Sequence, residues 1–327
     1  MRIVHAPTEI AGQMGVLCDE LKRRGHEVNG YNWFHTYINY KNSVVHTDAY
    51  ELARHLVPLA KNSDVFHFHN GNTFSVEGLE LPALKLQNKK MVMHHWGNDV
   101  RTDQAVKRLN PYALPKSYYS DEEIDHRLKR LSTYIDTAIV QDYEMVPYVK
   151  DYYKSVHVVP LACKVDSFVP RYPRVDQSNP LIVHAPTSRE FKGTVYVQAG
   201  IEQLKGRQLP FRYQPVENMS HEQALATYGE ADIIIDQVLC GTYGMLSVEA
   251  MALGKVVVAY IRDDVRAQLP SNFPIVSTAP EKVADTLEEL LRNPQLRNEI
   301  GQKSRRFVEE FHDVRLIAEI LEKIYLK

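Results

Sequence analysis

Apolar residues along this chain fall into short runs that alternate with longer segments of helical spacing. The runs cover 3–6, 26–31, 64–69, 90–95, 136–140 and 155–159 in the first half, and 181–184, 210–214, 232–236, 256–260 and 273–276 in the second. Runs of this length, bounded by turns, predict strands that are buried on both faces of a parallel sheet. Their alternation with helical segments predicts an α/β fold with doubly wound sheets.

The segments between the runs carry apolar residues at helical intervals. Residues 13–24 predict a helix that packs on the sheet and ends at Gly25, and 281–291 and two later stretches show similar spacing. The apolar faces of the first and last of these helices consist of Met14, Leu17, Cys18 and Leu21, and of Ile317, Ile320, Leu321 and Ile324. Residues 102–135 are charged and tyrosine-rich, which predicts a solvent-facing helical stretch.

A six-residue repeat marks the two halves. Residues 3–8 read Ile-Val-His-Ala-Pro-Thr, and residues 182–187 have the same sequence. A glycine and a helical stretch follow each copy, which favours two similar domains over coincidence between two generic strand–loop units. The prolines and polar residues of 159–180 indicate a linker. The predicted domains are therefore 1–162 and 163–327.

Composition narrows the class of protein. The chain has 327 residues, 44% of them hydrophobic, with 39 basic and 41 acidic side chains and a net charge of -2. This balance predicts a globular protein without a nucleic-acid partner. The three cysteines lack metal-site spacing, and neither a signal peptide nor a membrane-spanning run is evident in the sequence. We expect a cytoplasmic location, and peripheral contact with a membrane stays open.

The segment 241–255 lies between two predicted strands and carries the strongest candidate chemistry. Gly241 and Gly244 permit a tight turn close to a ligand, and 246–253 predict a short apolar helix stopped by Gly254. A helix that begins after a glycine-rich turn at a strand's carboxyl end is a typical anion site. Glu249 needs a partner in its apolar surroundings, and ribose hydroxyls would serve. The alternative is an ordinary crossover helix.

A second candidate site follows the repeat in the second half. Arg189 and Lys192 stand three residues apart beside Gly193 and the start of a helix, just after Thr187. Such a pair can clamp a diphosphate, arginine through its planar fork and lysine as a compact charge. Two solvated loop cations are the alternative.

Two predicted strands of the first half, 64–69 and 90–95, contain histidines. His94 and His95 are adjacent, so they point to opposite faces and only one is expected to face a ligand. Asp99 and Arg101 are a candidate local ion pair. His67 and His69 share one face, but a zinc site is not expected without carboxylate or thiol partners.

Two motifs are missing from the sequence. No Asp-x-Asp stands near a strand end, so no metal ion or other cofactor is expected. The absence of Gly-x-Gly-x-x-Gly counts against a dinucleotide-dependent dehydrogenase.

Residues 249–254, Glu-Ala-Met-Ala-Leu-Gly, resemble the donor-nucleotide signature of retaining GT-B glycosyltransferases, family 4 above all. In that family the signature is Glu-x7-Glu followed by Ala-Met-Ala-x-Gly. Gly241 stands where the first glutamate is expected, a residue that acts near the donor sugar. The second glutamate, here Glu249, holds ribose. Residues 159–170 are similar to the segment that joins the two GT-B domains.

The resemblance implies a fold and a set of site residues. The fold is two Rossmann-like domains facing across a cleft, with the last helix, about 313–326, packing back toward the first domain. The implied catalytic residues are His95, Arg189 and Lys192. The implied nucleotide-binding residues are Glu249, Gly244, Met245, Leu246 and Thr187. Gly12, Gln13, His94 and Thr242 would lie near the donor sugar or the acceptor.

The expected function is metal-independent transfer of a sugar, of the hexosyltransferase type and with retention of configuration. The donor would be a nucleoside-diphosphate sugar, and the acceptor a glycan, a lipid or a small molecule. Two alternatives stay open: a nucleotide-sugar 2-epimerase of the same fold, and a non-catalytic nucleotide-sugar-binding subunit, which Gly241 makes conceivable.

Overall fold

The structure is a computed structural model that describes residues 1–34 and 43–327. The chain divides into two compact units. The first contains Met1–Val106, Lys116–Ala162 and Val314–Lys327, and the second contains Lys107–Pro115 and Cys163–Asp313. None of the helices in these described ranges is long and apolar enough to cross a membrane.

The first unit is built on a parallel sheet. Its described strands are β1 (Arg2–Ala6), β2 (Glu27–Asn32), β3 (Val45–His46), β4 (Val65–His69), β5 (Lys90–His95), β6 (Thr137–Val140) and β7 (Ser155–Val158), in the order β3-β2-β1-β4-β5-β6-β7. Every residue of β4 is buried, which explains its almost unbroken run of apolar and imidazole side chains. The order reverses between β1 and β4, so this is the switch point where open α/β sheets bind ligands.

Helices cover this sheet. The described helices are α1 (Gln13–Arg23), α2 (Ala49–Asn62), α3 (Leu81–Leu86), α4 (Asp103–Leu109), α5 (Asp121–Tyr134), α6 (Val146–Val149) and α14 (Val314–Tyr325), and α4 ends in the segment that belongs to the second unit. The apolar face of α1 packs with α14 in one core cluster, which includes Leu17, Leu21, Ile317 and Leu321. Glu322 on α14 pairs with Arg24 at 2.7 Å, and hydrogen bonds from Arg24 and His26 lower its pKa to about 2.

The second unit has a smaller parallel sheet. Its described strands are β8 (Leu181–His184), β9 (Arg212–Pro215), β10 (Ile233–Ile235), β11 (Val256–Ala259) and β12 (Val276–Ser277), in the order β12-β11-β10-β8-β9. The described helices are α7 (Arg189–Lys192), α8 (Thr194–Gly206), α9 (His221–Glu230), α10 (Met245–Ala252), α11 (Asp263–Arg266), α12 (Val283–Arg292) and α13 (Pro294–Phe311). Here the switch point lies between β8 and β10.

The structure confirms the predicted α/β class and most predicted elements. The two copies of the repeat form β1 and β8, which hold equivalent positions in the two sheets. The solvent-facing interpretation of 102–135 is wrong in part, since α5 buries Ile124, Leu128 and Leu131. The chain also leaves the first unit within that stretch, at Lys107–Pro115.

Candidate functional site

The ends of β8 and β10 place two loops of the second unit side by side. Ile235 lies opposite His184 in the sheet, so the loops that follow these strands start at the same edge. The Nδ1 atom of His184 lies 2.9 Å from the carbonyl oxygen of Ile235, and its Nε2 atom lies 2.9 Å from the Thr194 hydroxyl. Burial lowers the pKa of His184. The repeat histidine therefore joins both strands to the start of α8.

Lys192 is held by a buried carboxylate at this edge. Its Nζ atom lies 2.6 Å from Oδ1 of Asp236 and 2.9 Å from Oε1 of Gln237. The other oxygen of Asp236 accepts hydrogen bonds from the Ser247 hydroxyl at 2.6 Å and from the Gly244 N–H at 3.1 Å. The Lys192 ammonium is thereby anchored beside the amino end of α10.

Asp236 stays ionised in this setting. Its burial alone would raise its pKa, but the charge of Lys192 and the hydrogen bonds from Lys192, Ser247 and Gly244 outweigh burial and lower it. Asp236 was not among the site residues predicted from the sequence. A carboxylate that directly follows an apolar strand was the signal that could have found it, because strand ends carry ligand-side residues in these folds.

Gly244 lies against this ion pair. A β-carbon at Gly244 would be 3.5 Å from Lys192 Nζ and 3.6 Å from Asp236 Oδ2. A side chain at position 244 would therefore be in contact with both charges of the pair. Met245 and Leu246 form the half-buried first turn of that helix.

Arg189 has a different environment from Lys192. Its side chain is 53% exposed and pairs with Glu217. It also lines a cavity of about 510 Å³, whose apolar wall includes Ala113, Leu114, Pro115, Val195, Tyr196 and Leu239. Thr187, at the end of the repeat, is exposed nearby in sequence. The predicted pair of cations thus consists of one anchored and one solvated side chain.

Glu249 already has a partner inside the second unit. Its Oε1 atom lies 2.6 Å from Nε2 of His221, the first residue of α9. Burial would lower the pKa of His221, but the hydrogen bond and charge of Glu249 outweigh it and hold that pKa above its usual value. The partner of this carboxylate in the structure is a histidine that was not predicted from the sequence, and binding of ribose by Glu249 stays a prediction.

The backbone explains the glycine at position 241. Gly241 has φ +85°, and a β-carbon there would lie 3.1 Å from Cβ of Arg262. Side chains rarely adopt this conformation, so a glutamate would be strained here. Thr242 is fully buried next to it, and its carbonyl oxygen accepts a hydrogen bond from Gln237 at 2.7 Å.

In the first unit, Glu9 in the loop after β1 caps the amino end of α1. Glu9 accepts hydrogen bonds from the N–H groups of Met14 at 2.9 Å and Gly15 at 2.8 Å, and burial raises its pKa to about 7. Gly12 has φ +75°. The Gln13 side-chain amide donates to the carbonyl oxygen of Ala162 at 3.0 Å and accepts from its N–H at 2.7 Å. A place for Gly12 and Gln13 beside the donor sugar or acceptor stays a prediction.

His95 has partners at both ring nitrogens. Nδ1 donates to Asp99 at 2.6 Å, and Nε2 lies 2.9 Å from the Tyr153 hydroxyl. Asp99 also accepts from the N–H groups of Trp96 and Gly97, so it holds the loop after β5. The suggested Asp99–Arg101 pair is wrong. Arg101 pairs instead with the buried Glu144 at 2.7 Å.

His94 faces the other side of the sheet and joins a group of buried histidines. Its Nδ1 atom lies 3.1 Å from Nε2 of His67, and its ring stacks on Trp96 with centroids 4.0 Å apart. Within 1–34 and 43–327, no side chain or backbone group bonds its Nε2 atom. His5 on β1 and His69 on β4 complete the group.

Three of these histidines lie close enough together to be compared with a zinc site. Ligand atoms of His5, His67 and His69 lie within 4.8 Å of one another, which the spacing of His67 and His69 alone could not show. The rings of His67 and His69 are stacked at 4.5 Å with an interplanar angle of 6°. Lone pairs in parallel ring planes run side by side and do not converge on one ion, so this arrangement does not fit a tetrahedral metal.

No protein-family model and no curated protein matches the chain in sequence. Solved structures are similar in fold. A glycosyltransferase from Rickettsia africae ESF-5 has a TM-score of 0.70 at 16% identity, over 99% of this chain and 97% of that chain. HepE from Anabaena, in complex with UDP and glucose, has a TM-score of 0.69 at 11% identity, over 99% and 98%.

Sucrose-phosphate synthase from Thermosynechococcus elongatus has a TM-score of 0.67 at 13% identity, over 99% of this chain and 98% of that chain. Identities this low establish a shared fold and leave activity open. The two parallel sheets and these similarities together show that the chain has the GT-B fold of glycosyltransferases.

Proposed function

We propose that this protein is a glycosyltransferase that takes its sugar from a nucleoside-diphosphate donor. The observation that carries the proposal is the switch point of the second unit, where Lys192, the amino end of α10 and Glu249 lie on consecutive parts of one edge. An ammonium and a helix amino end suit a diphosphate, and a buried carboxylate one turn further suits ribose. The Anabaena neighbour bound to UDP and glucose supports this choice of ligand.

Each residue has a proposed role in donor binding. Lys192 and the first-turn N–H groups of Met245 and Leu246 contact the diphosphate, while the half-exposed Arg189 and Thr187 approach it from the loop after β8. Glu249 binds the ribose hydroxyls and shares its hydrogen-bonding capacity with His221. Gly244 gives the diphosphate access to Lys192. Thr242 shapes the turn through its carbonyl group.

The reaction breaks the bond between the sugar's anomeric carbon and the β-phosphate oxygen. The bonding electron pair leaves with that oxygen, so negative charge develops on the nucleoside diphosphate, and Lys192 and α10 stabilise it. The acceptor hydroxyl bonds the anomeric carbon on the same face, which retains configuration, and its proton passes to the departing phosphate oxygen. In our proposal, cationic side chains and helix N–H groups stabilise the leaving diphosphate without a metal ion.

A non-catalytic nucleotide-sugar-binding subunit is the second candidate. The observation that favours it is the φ of +85° at Gly241, which disfavours a glutamate where the family signature has one near the donor sugar. A nucleotide-sugar 2-epimerase would use the same donor pocket, and incubation with donor alone distinguishes it. An epimerase forms a new sugar, whereas a transferase gives only slow hydrolysis.

The first test is a thermal-shift screen in EDTA with UDP, GDP, dTDP, ADP and their glucose conjugates. A ligand at 100 times its Kd should stabilise the fold by about 2.7 kcal/mol. Lys192→Met and Glu249→Ala should lose the shift. Lys205→Met is the matched control, because Lys205 pairs with Glu202 on the exposed side of α8. No shift with any ligand, or equal shifts in all variants, would contradict the proposed donor site.

Turnover separates transferase from binding subunit. With an acceptor found by screening glycans, lipid-linked sugars and small alcohols, Lys192→Met should lower kcat by about 10² to 10³, the usual effect of losing one group that stabilises transition-state charge. Normal transfer by Lys192→Met would refute the role of Lys192. Binding of the donor with no turnover on any acceptor would favour the subunit.

A further inference from the structure

Lys192 belongs to a group of hydrogen-bonded residues that lies wholly within the second unit. We call this group the lysine cradle, and it consists of Lys192, Asp236, Gln237, Thr242, Gly244 and Ser247. Lys192 is 9% exposed, and the other side chains of the cradle are at most 4% exposed. The cradle joins the last residue of α7 to the loop after β10 and to the start of α10.

The ammonium group of Lys192 has more donors than the cradle uses. A lysine ammonium carries three N–H donors and no acceptor. One donor bonds Oδ1 of Asp236 at 2.6 Å, and a second bonds Oε1 of Gln237 at 2.9 Å. Within residues 1–34 and 43–327, no group accepts a hydrogen bond from the third. A buried donor without an acceptor is unfavourable, and a ligand oxygen at this place would remove that cost.

The orientation of the Gln237 amide follows from its two neighbours. Lys192 can only donate, so the atom that faces it is the amide oxygen. The amide nitrogen donates to the carbonyl oxygen of Thr242 at 2.7 Å, and a carbonyl can only accept. Gln237 therefore connects the ammonium to the turn before α10. A flip of the amide would lose both hydrogen bonds.

Asp236 connects the same ammonium to α10. Its Oδ2 atom accepts from the Ser247 hydroxyl at 2.6 Å and from the Gly244 N–H at 3.1 Å, while Oδ1 accepts from Lys192. Hydrogen bonds to an ionised carboxylate are stronger than those between neutral groups. Rotation of the carboxylate would break them, so the position of Oδ1 is fixed.

The backbone beside the cradle is held as well. The Val238 N–H donates to the carbonyl oxygen of Lys192 at 3.1 Å, and the Tyr260 N–H donates to that of Gln237 at 2.9 Å. A β-carbon at Gly193 would lie 2.6 Å from Cγ2 of Val238, so the chain after Lys192 packs closely on the loop that follows β10. The lysine stem itself is flexible, and its partners therefore determine where the ammonium lies.

We propose that Asp236 and Gln237 are positioning residues of the donor site, which bind two donors of the Lys192 ammonium so that the third bonds an oxygen of the terminal phosphate. Both residues act through Lys192. An ammonium that is already in place needs no reorganisation when charge develops on the leaving phosphate. This inference rests on the proposed nucleoside-diphosphate site for the identity of the ligand.

Comparison of UDP with UMP separates positioning from a purely structural role, because UMP lacks the terminal phosphate. If the screen finds another base, its di- and monophosphate replace this pair. Gln237→Met keeps a side chain of similar size and removes both hydrogen bonds of the amide. It should lose about 3- to 10-fold of the wild-type preference for UDP over UMP, the usual range for one hydrogen bond. The affinity for UMP should change by less than about twofold.

Asn298→Leu is the matched control. The Asn298 amide also donates to a backbone carbonyl of the second unit, that of Pro173, at 2.8 Å. Its loss should leave the preference for UDP over UMP unchanged. Asp236→Asn removes the charge that holds the first donor, and it should lower the preference at least as far as Gln237→Met.

Lysine ¹⁵N NMR tests the cradle in wild type, so it does not depend on the folding of a cradle variant. A buried and hydrogen-bonded ammonium exchanges its protons slowly with water, so Lys192 should give a resolved Nζ signal. The loss of this signal in Lys192→Met identifies it. UDP should shift the signal, and UMP should leave it in place. A Lys192 signal that neither nucleotide moves, although both bind, would overturn the proposal.

Two further results would overturn it. One is a loss of affinity in Gln237→Met that is equal for UDP and UMP, or no loss for either, because the cradle would then only stabilise the fold. The other is a wild type that binds UDP and UMP equally, which would leave the nucleotide site without a phosphate contact from Lys192. If wild type binds no nucleotide, the proposed function fails and this inference fails with it.

Discussion

Single residues at the proposed donor site are paired with partners distant in sequence. Lys192 and Asp236 are 44 residues apart, and His221 and Glu249 are 28 apart. The sequence alone predicted Lys192 and Glu249, since each stands in a recognisable local pattern. Asp236 and His221 could not be predicted from a local pattern in the same way. Only the register of β8, β10 and their loops brings them to their partners.

The buried pair gives the first prediction. Asp236→Asn should lower the free energy of unfolding by about 3 kcal/mol, because it leaves the Lys192 ammonium without its counter-charge in a buried place. Urea denaturation measures the change. Ser247→Ala removes only one hydrogen-bond donor to the same carboxylate and should lower the free energy of unfolding by about 1 kcal/mol. Equal stability of Asp236→Asn and wild type would show that the pair is not what stabilises this edge.

Glu9 gives a prediction about pH. Its pKa is raised to about 7 by burial, so between its ordinary value of 4.5 and about 7 the folded chain holds a proton that the unfolded chain has released. The contribution of Glu9 to stability is therefore largest at low pH and falls by roughly 3 kcal/mol as pH rises through this window. Glu9→Gln should abolish this fall. Parallel stability–pH curves for both proteins would contradict it.

Among the elements, the pattern of apolar residues predicted those strands that are buried in the fold. Strands such as β4 and β11 are buried throughout, so their apolar runs were visible in the sequence. β3 was missed because it has two residues and both are exposed. The turn before α10 was located correctly from its glycines, but its backbone conformation, which decides whether a glutamate fits, requires the position of Arg262.

That turn leads to a third prediction. Gly241→Glu restores the family signature on paper, yet it should destabilise the protein by about 1–3 kcal/mol, because a side chain at φ +85° is strained and would press on Arg262. Thermal unfolding and turnover would both be measured. A stable variant with raised turnover would show that the turn adapts and that the missing carboxylate limits catalysis.

On the scale of the whole molecule, the repeat was the most informative part of the sequence. Its two copies form β1 and β8, each beside the switch point of its sheet, and the alternation of strands and helices around them predicted two α/β domains. The GT-B fold was expected from the resemblance of residues 249–254 to a family signature. The place of Lys107–Pro115 could not be predicted, since no local pattern distinguishes a segment that packs with the second unit. Contacts decide it: Asn110 donates to the carbonyl of Leu239 at 2.9 Å, and Tyr112 packs edge-on against Tyr260.

Asn110 gives the fourth prediction. Asn110→Ala should loosen the loop that leads into Gly241, because the Leu239 carbonyl loses a buried donor. Hydrogen exchange of residues 239–244 should accelerate about 10-fold, and global stability should fall by about 1–2 kcal/mol. Lys116→Ala, just beyond this segment, is the control, since its side chain is 86% exposed. Unchanged exchange would mean that other contacts hold the loop.

The discontinuous first unit has a consequence for biosynthesis. Residues 163–313 separate α14 from the rest of that unit, so a ribosome releases the sheet and α1 well before the helix that covers them. At ordinary rates of translation, this interval lasts roughly 8–30 s. During that time the part of this apolar cluster that α14 covers in the folded unit is exposed. The period in which the nascent first unit is prone to aggregate is thus set by the length of the second.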